Sequence, residues 1–338
     1  MWHFRLHHAF QNISEVSNHL TWPETMKKII WKVAFLLPVA VGGEGECMTA
    51  LARAQALETP PATAVYGGDT EGLDFWNEHE ELLQQARLDW GRKHDMLYDF
   101  SNEFIDQFVD PHVKEAIQSK SISKLKDLFE PSEKPGVYKI QLFNQEFVSQ
   151  LLEELVHQEE SNIPMRRPNG MNRYGCILDQ IGFENLVQDL SDQILRPMAH
   201  IVFPNRVAVE DIAADYAFVV QYHPDADVNL AEHADASAIT INICLQPSAE
   251  QSPLYFKNVR ELGEPVQEVG PMNVTLDTPG MAVIHLGQHL HGVSNVTSSR
   301  SNMVVWLMGH HGYVRVAPYE EDEVAVNQAE WMKKHGWN

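Results

Sequence analysis

A series of short strand-like segments in the second half of the chain constrains the fold more than any other feature of the sequence. Each segment beyond Asp215 is rich in β-branched and aromatic residues, and proline or glycine lies between the segments. The segments are 218–220, 239–243, 254–256, 274–276, 282–284 and 303–307. Short strands at this spacing are typical of two packed antiparallel sheets. The sequence therefore predicts a mostly β protein of the α+β class, with a jelly-roll core backed by helices.

One strand and two amphipathic helices are predicted ahead of this region. Residues 137–142 alternate apolar and polar side chains, as a half-buried strand does. Asn144 can cap a helix whose apolar face consists of Phe147, Leu151, Leu152, Leu155 and Val156. A second helix from Phe183 to about His200 has its apolar residues at i, i+4 spacing, namely Leu186, Leu190, Ile194 and Met198. We expect both helices to pack against the sheets.

Prolines and glycines divide the chain into four regions. Residues 1–70 alternate apolar patches with Gly, Pro and Thr, which predicts a poorly ordered leader. Residues 71–135 form a helical, polar region that ends at Pro135-Gly136. We therefore predict a main domain over residues 136–312 and a solvated tail over residues 313–338.

A segment over residues 26–42 resembles a secretory signal. Met26-Lys27-Lys28 supplies a basic start, and an apolar run follows. Lys32 interrupts the run, and the run is shorter than the ~20 residues that span a bilayer. We expect a cytoplasmic protein without stable membrane insertion, with the secretory pathway as the alternative if this segment is a signal.

The composition narrows the classes of partner and of metal site. The sequence holds 25 Lys and Arg against 47 Asp and Glu, a formal net charge of −22, whereas binding to a phosphate backbone requires clustered cations. Cys47, Cys176 and Cys244 are too few and too scattered for a disulfide framework or a cysteine-based zinc site. Nucleic acid is therefore not an expected partner, and histidine is the residue type to examine for metal binding.

Two His-x-Asp triplets are candidates for a metal-binding pair, and their contexts separate them. His223-Pro224-Asp225 has the composition of a turn, where the fixed proline favours a bend over a rigid pair of ligands. His233-Ala234-Asp235 lies next to a predicted strand, where side chains at i and i+2 point to the same face. A polar strand end in water is the alternative for this second triplet. We select His233 and Asp235 as candidate ligands and set His223 aside.

A third ligand and a cation follow downstream. His291 comes after the predicted strand 282–286, and Arg300 follows nine residues later at the start of the last strand. Two histidines and one carboxylate form the facial triad of non-haem Fe(II), and arginine offers a planar fork to a carboxylate. His285 and His289 are alternatives for the third ligand. We prefer His291 because Arg300 follows it at this spacing.

The combination of His233-x-Asp235, His291 and Arg300 on a double sheet with helices in front resembles the 2-oxoglutarate- and Fe(II)-dependent oxygenases of the prolyl-hydroxylase class. The resemblance extends over roughly residues 137–312, and its most similar stretches are 167–175, 217–222, 291–293 and 300–307. It implies that the region 136–312 is a dioxygenase domain with a double-stranded β-helix fold.

The resemblance also implies roles for individual residues. His233, Asp235 and His291 would hold Fe(II). Arg300 would pair with the distal carboxylate of 2-oxoglutarate, and Tyr222 would line the site of this cosubstrate. Dioxygen would be consumed in oxidative decarboxylation to succinate, coupled to hydroxylation of a C–H bond on an unidentified substrate, with a protein residue as the hypothesis. Ascorbate as a reductant is implied by the class and by no residue of this chain.

One departure and three competing functions accompany the resemblance. Gln251-Ser252-Pro253 stands where relatives carry a pair of glycines, so the turn or the substrate entry there can differ. A nucleic-acid demethylating oxygenase would share the triad and Arg300-x-Asn302, but this chain has Trp306 where such enzymes carry a second arginine. A catalytically silent module that binds 2-oxoglutarate and iron is the second competing function, and a zinc or storage-type cupin is the third. The intact ligand set together with Arg300 favours the dioxygenase.

Overall fold

The computed structural model describes residues 48–59, 70–132, 136–203, 215–235, 237–249, 254–259 and 267–307. Several sequence predictions concern residues outside these ranges, namely the leader up to residue 47, the signal-like segment 26–42, the Gln251-Ser252-Pro253 departure and the tail 313–338. None of the helices within the described ranges has both the length and the apolar character that a membrane span requires.

The described strands form two antiparallel sheets. The strands are β1 Glu130–Pro131, β2 Val137–Gln141, β3 Gly175–Ile177, β4 Asp215–Tyr222, β5 Leu230–His233, β6 Ile239–Gln246, β7 Leu254–Val259, β8 Gln267–Val274, β9 Met281–Leu286, β10 His291–Val293 and β11 Arg300–Leu307. One sheet has seven strands in the order β1-β2-β9-β6-β11-β4-β3, and the other has four in the order β5-β10-β7-β8. The predicted jelly-roll core, a double-stranded β-helix with helices in front, is confirmed.

One predicted strand is displaced along the sequence. We expected a strand over residues 274–276, whereas β8 ends at Val274 and residues 275–277 are irregular. The β-branched pair Val274-Thr275 lies at the end of a strand whose earlier residues include Gly270 and Pro271. Because glycine and proline are depleted in strands, the sequence pattern did not predict the greater part of β8.

The α-helices within the described ranges precede and flank the sheets. They are α1 Ala50–Gln55, α2 Thr70–Trp90, α3 Asn102–Phe108, α4 Pro111–Gln118, α5 Ile122–Asp127, α6 Gln145–Glu160, α7 Glu184–Leu190 and α8 Arg196–Val202. Asn144 caps α6 as predicted, because its side chain accepts a hydrogen bond of 3.1 Å from the backbone N–H of Phe147. The second predicted helix is divided into α7 and α8 by a π-helical turn over Ser191–Leu195. Pro197 lacks the N–H that a regular helix would use there, which explains the widened turn before it.

The apolar face predicted for α6 differs at one position. Val156 is 52% exposed, whereas Glu154 on the same helix is fully buried. The Glu154 carboxylate accepts hydrogen bonds of 2.8 Å from the backbone N–H groups of Lys93 and His94 and from the hydroxyl of Tyr98. A buried polar group with its hydrogen bonds satisfied is tolerated, so the prediction for Val156 was wrong.

Two hydrophobic clusters occupy the two faces of the seven-stranded sheet. Phe147 of α6 lies in one cluster with Val305 of β11. Val304, the preceding residue of β11, lies in the other cluster with Phe256 of the four-stranded sheet. Because side chains alternate along a strand, the residues of β11 with even numbers face the space between the two sheets. Arg300 is one of these residues.

The predicted division of the chain at residues 135/136 stays a prediction. Phe104 of α3 and Leu125 of α5, which precede the division, belong to the same hydrophobic cluster as Ile284 of β9. Helices α3 and α5 therefore share one core with the seven-stranded sheet, whereas the buried residues Trp76, Leu83 and Ala86 of α2 lie in a separate cluster.

Candidate metal centre and its pocket

The four-stranded sheet brings the three predicted ligands together. His233 is the last residue of β5, His291 is the first residue of β10, and the two are register partners across the antiparallel pair. Asp235 follows β5, and its backbone N–H donates a hydrogen bond of 2.8 Å to the carbonyl of Gly287. These three residues offer ligand atoms that all lie within 4.8 Å of one another. The spacing suits the facial arrangement of two imidazoles and one carboxylate around a single ion.

The backbone fixes which imidazole nitrogen faces the centre. Nδ1 of His233 lies 2.9 Å from the carbonyl of Ala231, and Nδ1 of His291 lies 2.8 Å from the carbonyl of His289. A carbonyl oxygen can only accept, so Nδ1 carries the proton in both rings and the lone pair is left on Nε2. Both Nε2 atoms approach the Asp235 carboxylate, at 3.3 Å from His233 and 3.6 Å from His291. The donor atoms thus have the protonation that metal binding needs.

The carboxylate of Asp235 is the charged member of the group. Burial alone would raise its pKa, but the facing imidazoles, that of His291 first, hold the pKa of Asp235 well below its usual range. Burial lowers the pKa of both imidazoles, but at His233 the facing Asp235 carboxylate outweighs burial and raises the pKa, whereas the pKa of His291 stays lowered. The centre therefore carries an ionised carboxylate beside at least one neutral imidazole, which fits a divalent cation.

A buried hydroxyl pair holds the orientation of the Asp235 carboxylate. Thr240 Oγ1 donates a hydrogen bond of 2.5 Å to Asp235 Oδ2, and Ser237 Oγ lies 2.8 Å from Thr240 Oγ1. Ser237 in turn leaves no room for a side chain at position 287, because a Cβ on Gly287 would lie 2.1 Å from the Ser237 carbonyl oxygen. Residues that orient a ligand in this way tune metal affinity. Thr240 is therefore a supporting residue of the centre that the sequence analysis did not identify.

The Thr240→Val substitution is expected to weaken metal binding by about 10- to 100-fold, the usual effect of losing an orienting partner of a ligand. Valine keeps the β-branched shape in β6 but cannot donate to Asp235. Titration with Mn²⁺ or Co²⁺ under anaerobic conditions measures the affinity directly. Thr240→Ser keeps the hydroxyl and serves as the control, and equal affinities for the two variants would show that the hydrogen bond has no such role.

The predicted carboxylate-binding pair lies on the seven-stranded sheet. Arg300 and Tyr222 are register partners across β11 and β4, and the Arg300 guanidinium carbon lies 6.0 Å from the centre of the Tyr222 ring. Both side chains are buried, and Arg300 Nε donates a hydrogen bond of 2.9 Å to Asn302 Oδ1. Burial lowers the pKa of Arg300 from its usual value, although a guanidinium remains charged in proteins. The pair places one fixed positive charge next to a phenol.

A pocket between the sheets joins the metal centre to Tyr222. Its volume is about 170 Å³, and a cavity of about 150 Å³ is large enough for a benzene molecule. His233, Asp235, His291 and Tyr222 line it, together with apolar residues of both sheets such as Leu254 and Trp306. Trp306 thus lies on the same face of β11 as Arg300, as the period of two predicted. The pocket has room for one small organic acid that reaches the metal centre.

The histidines that were set aside are not members of the three-ligand group. His223 is exposed in the turn after β4, and the side chain of Asp225 is 92% exposed. His285 and His289 are fully buried, and Nε2 of His285 lies 4.0 Å from Asp235 Oδ2. His285 packs at 5.0 Å against the ring of Phe256. His291 therefore remains the third candidate ligand, and His285 is a buried neighbour of the group.

Two sets of pocket residues were not identified from the sequence. One is the pair Thr240 and Asn242 of β6, and the other is the loop segment 169–172. Polar residues at alternate positions of an apolar strand are a signal for a polar pocket, and it is present at Thr240-Ile241-Asn242. The loop segment has no such signal, because its contacts with the pocket join residues far apart in the sequence.

The chain is similar to several proteins whose names include 2-oxoglutarate and iron. The OGFOD2-like domain family matches residues 87–208. The 2-oxoglutarate and iron-dependent oxygenase domain-containing protein ICU11 of Arabidopsis thaliana is 30% identical over 71% of this chain and 61% of its own length. The 2-oxoglutarate and iron-dependent oxygenase domain-containing protein 2 of Danio rerio is 31% identical over 67% of this chain and 65% of its own length. The chain thus spans less than two thirds of these relatives.

The human counterpart and a solved structure extend the comparison. The 2-oxoglutarate and iron-dependent oxygenase domain-containing protein 2 of Homo sapiens is 35% identical over 52% of this chain and 50% of its own length. A solved prolyl-4-hydroxylase from Pseudomonas putida aligns with 55% of this chain and 97% of its own, at 16% identity and a TM-score of 0.37. At that TM-score the alignment adds nothing to what the strand order already shows.

Proposed function

Because the chain carries an OGFOD2-like domain and is homologous to the 2-oxoglutarate and iron-dependent oxygenases, we propose that it is an Fe(II)- and 2-oxoglutarate-dependent dioxygenase. The observation that carries the proposal is the group His233, Asp235 and His291, whose ligand atoms lie within 4.8 Å of one another. The donor set fits Fe(II), since both histidines present Nε2 and the carboxylate is held by Thr240. The reaction would convert 2-oxoglutarate, dioxygen and a C–H bond into succinate, carbon dioxide and a C–OH group.

In this proposal, different groups of residues have different roles. His233, Asp235 and His291 would hold Fe(II), which when bound supplies the activation of dioxygen. Arg300 and Tyr222 would bind the distal carboxylate of 2-oxoglutarate, because they are adjacent and offer a charged and a neutral donor. The apolar pocket wall, which includes Leu254, would exclude water, so that the oxidising equivalents reach the substrate. Ascorbate would act as an external reductant of the iron.

For the substrate we propose a protein side chain. A pocket of about 170 Å³ that holds the cosubstrate leaves space for little more than one reacting group. Met171 lines this pocket and is exposed, so the pocket meets the surface beside it. One relative with a named protein target supports the choice, since human procollagen-lysine,2-oxoglutarate 5-dioxygenase 1 is 31% identical over 33% of this chain and 16% of its own length. The net charge of −22 disfavours a nucleic-acid substrate.

The test is anaerobic binding of Fe(II) and 2-oxoglutarate, followed by admission of oxygen and measurement of succinate. We expect one iron and one 2-oxoglutarate to bind per chain. In the absence of added substrate, we expect slow succinate release, and ascorbate should sustain this release. Binding of both without succinate would identify a silent binding module instead. Retention of zinc with no binding of 2-oxoglutarate would identify a zinc cupin and overturn the proposal.

A further inference from the structure

Apart from the exposed Met171, the loop Arg167–Asn172 has no part in the function described so far, although it forms one wall of the pocket. Residues 169–172 line the pocket, and the range that matches the OGFOD2-like domain contains this loop but ends before the candidate ligands. The loop is held at several points. Tyr216 donates a hydrogen bond of 2.6 Å to the carbonyl of Pro168, and Arg167 donates to the carbonyls of Asn169 and Gly170. The family-matched region therefore contributes a fixed wall to the pocket.

The orientation of two side-chain amides in this loop follows from the backbone. Asn169 Oδ1 accepts hydrogen bonds of 2.8 Å from the backbone N–H groups of Met171 and Asn172. A backbone N–H can only donate, so the oxygen of the Asn169 amide must be the atom at that position. Asn169 Nδ2 then donates to Asn172 Oδ1 at 3.1 Å. The amide of Asn172, which is 1% exposed, is fixed in the same way.

The last step of this relay reaches Tyr222. Asn172 Nδ2 donates a hydrogen bond of 3.3 Å to the hydroxyl oxygen of Tyr222. A tyrosine hydroxyl has one proton, and since Asn172 supplies a donor, that proton is directed away from Asn172. Burial raises the pKa of Tyr222 to about 12, so the phenol keeps its proton at neutral pH. Tyr222 lines the pocket, and Arg300 is its register partner on β11, so the proton can meet an anionic group that lies next to a positive charge.

We propose that Asn169 and Asn172 are positioning residues that fix the Tyr222 hydroxyl as a hydrogen-bond donor to the distal carboxylate of 2-oxoglutarate. The inference rests on the proposed function, because it requires this dicarboxylate in the pocket. The relay starts at two backbone N–H groups and ends at a phenol fifty positions further along the chain. Its effect is to make one wall of the pocket selective for an anion.

The test is a double-mutant cycle on the affinity for 2-oxoglutarate, measured by calorimetry on Mn²⁺-loaded protein without turnover. Tyr222→Phe is expected to weaken binding about 10- to 100-fold, the usual effect of losing a hydrogen bond to a charged group. Asn172→Ala is expected to weaken binding about fivefold, within the usual range for one neutral hydrogen bond. The double variant should bind no more weakly than Tyr222→Phe alone, because Asn172 acts through the hydroxyl. Additive losses would overturn the relay.

A second variant keeps the test decisive if Asn172→Ala unfolds the loop. Asn169→Asp retains the two bonds from the backbone but cannot donate to Asn172. The Asn172 amide should then rotate and present its oxygen to Tyr222, which turns the hydroxyl proton away from the pocket. We expect binding to weaken at least as much as in Asn172→Ala, and a smaller loss in the Tyr222→Phe background, where only the repulsion between the new carboxylate and 2-oxoglutarate remains. An unchanged affinity would contradict the relay.

Two controls distinguish the possible causes of a loss of affinity for 2-oxoglutarate. Asn185→Asp adds the same charge at an exposed position of α7 and should leave binding unchanged. Mn²⁺ affinity should be unchanged in Tyr222→Phe and in Asn172→Ala, since neither substitution touches a ligand, and thermal unfolding shows whether each variant is folded. If the wild-type protein binds Mn²⁺ but no 2-oxoglutarate, the proposed function fails. If the wild type binds both and Asn172→Ala binds 2-oxoglutarate equally well, only the relay fails.

Discussion

Replacing Asp235 by alanine is expected to lower the affinity for Fe(II) by about a thousandfold or more and to abolish succinate formation. Partners that only orient a ligand are worth about 10- to 100-fold in metal affinity, and Asp235 supplies both a ligand atom and the only negative charge of the three-residue group. Its ionised form is favoured by the facing imidazoles, that of His291 first. Without it, two imidazoles remain to hold a hard cation that prefers oxygen. Anaerobic titration with Fe(II) and a succinate assay measure the two effects.

The second His-x-Asp triplet provides a matched control. Asp225→Ala removes an aspartate with the same sequence context, two residues after a histidine, but from a side chain that is 92% exposed. We expect iron affinity and succinate formation at the wild-type level. Comparable losses in the two variants would mean that the ion is not bound where the structure gathers His233, Asp235 and His291.

Replacing Arg300 by alanine is expected to weaken 2-oxoglutarate binding on the order of 100- to 1000-fold while metal affinity stays within about twofold. Truncating one partner of a buried, hydrogen-bonded charge pair costs about 2–5 kcal/mol, and each 1.4 kcal/mol is about tenfold in affinity. Arg300 is 2% exposed, so water cannot replace the guanidinium effectively. Calorimetry with 2-oxoglutarate on Mn²⁺-loaded protein measures the loss.

Two further variants show whether the loss at Arg300 is specific. Arg300→Lys keeps the charge but not the planar fork, and an intermediate affinity is expected. Arg53→Ala removes an exposed arginine of α1 and should bind 2-oxoglutarate as the wild type does. If Arg300→Ala retained the affinity for 2-oxoglutarate, the distal carboxylate would have to lie elsewhere in the pocket.

The placement of the metal centre could be predicted from the sequence because it depends on local rules. The side chains of His233 and Asp235 share a face since they are two residues apart beside a strand, and Pro224 identified the other triplet as a turn. Arg300 and Trp306 share a face by the same period of two. These inferences needed no knowledge of which strands pair.

The other features of the site could not be predicted, because they depend on pairing between segments that are distant in the sequence. β5 and β10 have four and three residues, too few to show a periodicity, although their register brings His233 opposite His291. Asn172 and Tyr222 meet only because the loop before β3 folds over the end of β4. Buried Glu154 was missed for the same reason, since its partners lie on the segment 93–98. Tertiary contacts of this kind leave no pattern in a single sequence.

The two halves of the site lie on different sheets, and this has a consequence for the mobility of the molecule. The candidate ligands His233 and His291 belong to the four-stranded sheet, whereas Arg300 and Tyr222 belong to the seven-stranded sheet. A dicarboxylate that reaches both halves ties the two sheets together across the sandwich. Its binding free energy then opposes any local opening that separates them, by about 2.7 kcal/mol at a ligand concentration a hundred times the dissociation constant. The amide hydrogens of the short strands β5 and β10 would exchange more slowly in the protein with bound cosubstrate than in the protein without it. When the cosubstrate leaves, these two strands would fray first.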